Sequence, residues 1–151
     1  MIQRKQTLFL LFAIILMAGY LYSPIIAFDA NVGYTYLKGY ELTKNIGFPF
    51  IGHYFVFFNA ILAGIAIGIS LIAIFLYKKR QLQQWFCWLA IVPTLGCFFY
   101  AYYRWAVMDT TFDQIFYYGN ITPWVVAICL FLAGYFVKKD EDLVRSVDRL
   151  R

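Results

Sequence analysis

Of the 151 residues, 63% are hydrophobic and only 14% are charged, and the formal net charge is +5. A water-soluble domain of this length coats itself with roughly a quarter charged residues, so these proportions exclude an ordinary soluble fold and make lipid the main solvent. The basic surplus does not point to nucleic acid, because Lys and Arg collect at the ends of apolar runs, where they set orientation in a bilayer.

A hydrocarbon core of about 30 Å needs about 20 helical residues. The first run of that length extends from Thr7 to Phe28, behind Arg4 and Lys5. A secretory signal would open the same way, but this apolar stretch is longer than a typical signal core, so a retained helix is expected. Asp29 to Phe50 then forms the larger outer loop, rich in tyrosine and punctuated by Gly33, Gly39, Gly47 and Pro49. Within it Tyr34 to Tyr40 alternates in part between β-compatible residues, a pattern that suits a short extended hairpin resting on the helix ends.

The second span runs from Tyr54 to Tyr77. In it Ala60, Gly64 and Gly68 recur every four residues, so the small side chains form one row that lets another backbone approach closely. Ordinary packing inside the bundle is the plainer reading of such a row, and a dedicated subunit interface the sharper one. Asn59 is expected to hydrogen-bond to a neighbouring helix, whereas Ser70, and Thr94 in the third span, can be satisfied by their own helix backbone.

The segment Lys78 to Gln84 is too short to do anything but join antiparallel neighbours. The third span, Trp85 to Tyr103, contains Pro93, which removes a backbone hydrogen bond and can kink the helix. At its outer end Arg104 forms a candidate polar site with Asp109 and Asp113, with structural pairing the plainer reading and an anion site the sharper one. In the second outer loop, Trp105 to Asn120, Asp109 is placed to cap a short helix in which Phe112, Ile115 and Phe116 share a face and Gly119 ends it. That helix would lie on the membrane surface or extend the third span.

The fourth span covers Ile121 to Val137, with Thr122 and Pro123 in the order of an N-cap and a first helical residue. The tail 138–151 is too charged for lipid and should continue as a short cytoplasmic helix. Leu143 and Val147 fall on one face with Leu150, flanked by Arg145, Arg149 and Arg151, which makes it a candidate docking helix for a protein or for anionic headgroups. Because the runs are continuously apolar, without the alternation of barrel strands, the fold class is an all-α membrane protein, a single domain 1–151 built as a four-transmembrane-helix bundle.

Ten of the thirteen basic residues (Arg4, Lys5, Lys78, Lys79, Arg80, Lys138, Lys139, Arg145, Arg149 and Arg151) fall at the first end, the middle connection and the last end. Those three segments share a side when there are four spans, so both termini are expected in the cytoplasm. The tyrosines and tryptophans near the outer boundary, Tyr100, Tyr102, Tyr103, Trp105, Tyr117, Tyr118 and Trp124, read as an interfacial belt.

Little catalytic chemistry is on offer. His53 is the single histidine, which excludes a bis-histidine haem within one chain. Cys87, Cys97 and Cys129 form no C-x-x-C pair, no phosphate-binding glycine loop is present, and no serine has a nucleophile context. No enzyme, cofactor or metal site is therefore expected.

The opening MIQRKQTLFLLFAIILM, the connection YKKRQLQ and, above all, the ending ITPWVVAICLFLAGYFVKKDEDLVRSVDRLR resemble the domain of unknown function 4293 family. The resemblance implies four helices in this order, a bacterial inner-membrane location and no assigned activity, and it supplies no catalytic residues. Two functions follow as expectations. The first is a structural or accessory protein that assembles with another membrane component or with itself, through the Gly64 face and the arginine-rich tail. The alternative is a binding or transport subunit for a lipid or small amphiphile, held among the outer aromatics beside Arg104.

Overall fold

A computed structural model describes residues 3–30, 33–38, 51–107, 114–116 and 118–148. Helix α1 spans Gln3–Tyr22. It stops six residues before Phe28, the expected end of the first span. Pro24 is the cause: proline cannot donate to the helix ladder and drives the residue before it out of helical conformation. Ser23 closes the end, its N–H donating to the carbonyls of Gly19 at 3.1 Å and Tyr20 at 3.2 Å and its hydroxyl to that of Tyr20 at 2.9 Å. The apolar residues beyond it form strand β1, Pro24–Ala30, in which Ile25 is fully buried.

Strand β2, Gly33–Lys38, lies within the tyrosine-rich loop and pairs antiparallel with β1, Ala27 facing Tyr36. On the other edge of β1, strand β3, Gln114–Phe116, is also antiparallel, with Ile115 facing Ala27. This corrects the short helix expected in the second outer loop. Ile115 and Phe116 suit a strand, and the edge of β1 supplies backbone partners that an isolated helical turn would have to win against its nucleation cost. Asp109 and Phe112, also assigned to that helix, lie outside the described residues.

Helix α2, Ile51–Phe75, passes through a 3-10 turn at Leu76–Lys78 and the single residue Lys79 into α3, Arg80–Val107. The connection is thus shorter than expected. Glutamine, leucine and arginine are good helix formers, and nothing between Arg80 and Gln84 breaks the ladder. Helix α3 also continues past Tyr103, with Pro93 buried inside it. A second 3-10 turn, Tyr118–Ile121, leads into α4, Thr122–Asp148, whose first turn holds Pro123. No break separates the fourth span from the charged segment that follows it.

Among the described residues three helices are long and apolar enough to cross a membrane: Phe57–Phe75, Arg80–Tyr103 and Gly119–Val144. The apolar part of α1, Gln6–Tyr22, is shorter. Helix α1 packs on α2 and α4, α2 on α3, and α3 on α4. Between them lie Leu10, Met17 and Tyr20 of α1, Ala63, Ala66 and Ala73 of α2, Cys87, Ala90, Cys97 and Ala101 of α3, and Val126, Leu130 and Ala133 of α4. Apart from a few larger side chains this core is small, and small residues let apolar helices gain dispersion contact by close backbone approach.

Candidate functional site

Helix α2 has two small-residue faces. One, formed by Asn59, Ala63, Ala66, Ser70 and Ala73, is buried against the neighbouring helices. The hydroxyl of Ser70 donates to the carbonyl of Ala66 at 2.8 Å, and that of Thr94 to Ala90 at 2.8 Å, so both are satisfied within their own helices. The other face carries Ala60, Gly64 and Gly68. Gly64 precedes Ala66 by two residues, roughly 200° round the helix, which turns it away from the core. A Cβ built at Gly64 or Gly68 would meet nothing within 4 Å. The plainer expectation for this row, packing inside the bundle, does not hold at Gly64, which is exposed and, like half-buried Gly68, has open space beside it; Ala60 is half-buried, and exposed Ile61, Ile65, Leu71 and Ile72 border the row.

The close approach within the chain falls instead at a glycine that sequence reading passed over. A Cβ at Gly134 of α4 would lie 3.5 Å from the Cβ of Cys87 and 3.5 Å from Nε1 of Trp88, both on α3. Its signal was faint, since a lone glycine in an apolar helix has no repeat to mark it.

Polar clamps hold the helices in register. Nδ2 of Asn59 donates to the Tyr20 hydroxyl at 3.0 Å, and both residues are fully buried. This joins the last turn of α1 to the third turn of α2, the helix-to-helix bond expected of Asn59. Its partner was not legible, because nothing links positions 39 residues apart before the helices are docked. Nδ2 of Asn120 donates to the carbonyl of Ile25 at 2.6 Å, fixing β1 to the start of α4. At the opposite end Nε2 of Gln6 donates to the carbonyl of Phe136 at 3.2 Å, and the two rings of Phe9 and Phe136 stack at 5.6 Å. There too Nη1 of Arg80 lies 3.9 Å from a carboxylate oxygen of Asp140.

Of the outer polar site, Arg104 stands on the last turns of α3, while Asp109 and Asp113 lie outside the described residues. Of the docking helix, Leu143, Arg145 and Val147 lie on α4, with Leu143 exposed, and Arg149 and Arg151 lie outside the described residues. Cys87, Cys97 and Cys129 are each buried, and no group of metal-ligating side chains occurs among the described residues.

A family model described as Domain of unknown function (DUF4293) matches residues 2–150. No curated protein and no solved structure matches the chain.

Proposed function

The chain belongs to the domain of unknown function (DUF4293) family, and from that premise we propose that it is an accessory protein of the bacterial inner membrane. In this reading it crosses the bilayer four times as a helix bundle, and it docks on another membrane protein or a second copy of itself. Four crossings are supported by α1 lying along α4. Gln6 meets Phe136 at one end, and Ile25, just past α1, meets Asn120 at the other. The start of α1 and the charged turns of α4 then fall on the same side as the α2–α3 turn, the side that collects most of the basic residues, which is the cytoplasmic side.

The observation that carries the docking role is the small-residue row Ala60, Gly64 and Gly68, with open space beside Gly64 and Gly68. In lipid, helices associate by van der Waals fit, and a groove of small residues on an outward face is where a second backbone fits best. The exposed Leu143 and Val144 of the α4 extension offer the same partner a contact beyond the bilayer.

A photoreactive amino acid in place of Ile61, irradiated in cells, is expected to give one predominant protein adduct. A self-adduct means homo-oligomer and a foreign adduct names the partner, whereas adducts with lipid alone would sink the reading. Gly64→Ile should lower the adduct yield about tenfold, the equivalent of ~1.4 kcal/mol of helix association. The same change should not lower the thermal unfolding midpoint of the isolated protein, because the new Cβ meets nothing within 4 Å beyond its own helix backbone and chain neighbours and isoleucine is a better helix former than glycine.

A further inference from the structure

At the end of the molecule where α2 turns into α3, exposed lysines stand above exposed aromatic rings. Lys79 is the residue between the two helices, and Lys138 and Lys139 lie where α4 leaves its apolar stretch, all three exposed. Arg80 holds these elements together. Besides its 3.9 Å approach to the Asp140 carboxylate, its guanidinium donates to the Asp140 carbonyl at 3.4 Å, so the turn bearing Lys79 is tied to the basic turn of α4.

Below the lysines the seam between α3 and α4 is aromatic. Trp88 and Phe131 meet edge to face at 5.2 Å, and both remain partly exposed. Trp85, one turn nearer the basic end, is 68% exposed. Lys138 follows Phe131 by seven residues, two turns along the same face. Read along the helices, the seam presents rings and then cations, over a length of roughly 10 Å.

We propose that this seam binds an anionic glycerophospholipid, with an acyl chain along Trp85, Trp88 and Phe131 and the phosphate among Lys79, Lys138 and Lys139. The rings decide between lipid and a soluble acidic partner, because tryptophan exposed at a helix end belongs at the headgroup level of a bilayer. The lysines decide between lipid classes, because a zwitterionic headgroup brings its own cation to the site and an anionic one does not. Glu141 and Asp142 follow Lys138 by three and four residues, one turn farther along α4, so a phosphate competes with them for Lys138 and Lys139, while Lys79 on the α2–α3 turn stands off that helix.

The full chain should be reconstituted in vesicles of phosphatidylcholine with phosphatidylglycerol as the minor component, and the lipids that remain bound then identified by native mass spectrometry. Phosphatidylglycerol is expected to be retained well above its share of the bilayer. Combining K79Q, K138Q and K139Q should reduce that preference at least about tenfold, since each basic residue near the surface contributes separately. All three side chains are exposed, so the unfolding midpoint should not move. Separately, Trp85→Ala should lower retention of both lipids together. Equal retention of the two lipids by the unaltered protein would overturn the proposal, as would a preference that survives loss of the three lysines.

Discussion

Gly134→Leu should destabilise the protein by about 1–3 kcal/mol, the usual cost of forcing extra methylenes into a packed interior. The midpoint of unfolding in mixed detergent and dodecyl sulfate micelles is the measurement. The first added atom is tolerable, since it would meet Cys87 and Trp88 at 3.5 Å, ordinary van der Waals contact. Gly134→Ala is therefore expected to be at least as stable as the parent, by up to about 1 kcal/mol, because the new contacts and the better helix propensity both stabilise. The further carbons of leucine have no such room. They must move Trp88, which is also set against Phe131, or push α4 away from α3. A leucine variant as stable as the parent would show that the two helices are not in close contact at Gly134.

Asn59→Leu and Tyr20→Phe should each cost about 1–2 kcal/mol, while the double variant costs clearly less than their sum. Either single change leaves one buried group without its partner, Tyr20 with no amide to accept from or Asn59 with no hydroxyl to bond. The double variant leaves neither. The values belong at the lower end of the range for buried polar groups, because chains unfolded within a membrane find other partners. Strict additivity would show that the pair is not coupled. Purification in a detergent that preserves the α1–α2 contact is needed for the comparison, since the bond joins the last turn of α1 to the third turn of α2.

The helices were legible because long apolar runs admit few arrangements in lipid, and their ends were less so. Pro24 was the usable signal for the end of α1, but the residues after it, Ile25 to Phe28, are as apolar as those before. Composition alone cannot distinguish a helix in lipid from a strand buried under a sheet. The beginning of α3 was missed for the opposite reason: Arg80 to Gln84 is polar, and polarity was read as loop although those residues favour helix. At the candidate site, the row at Gly64 was visible from its spacing, but the direction it faces depends on which side of α2 the neighbouring helices take. Asn59 announced itself as a polar residue in an apolar run. Tyr20 did not, since a tyrosine near a membrane boundary has an ordinary explanation of its own.

The brevity of α1 has a consequence for the bilayer around it. Its apolar part, Gln6–Tyr22, is roughly 25 Å long, less than a hydrocarbon layer of about 30 Å, and its neighbour α4 is apolar over a similar length, from about Ile121 to Val137, before Lys138 and Lys139 begin its charged end. Gln6 and Tyr20 pin both ends of α1, so it cannot slide to hide the difference. In the four-crossing arrangement proposed above, the protein then shows lipid a low wall on the flank where α1 and α4 lie side by side. In that arrangement acyl chains along this flank shorten, at a cost of fractions of a kcal/mol for each ångström. That strain is relieved in a thinner membrane, or by a neighbour whose own span is equally short. Bilayer thickness thus becomes a selector of where this protein settles and of what it settles beside.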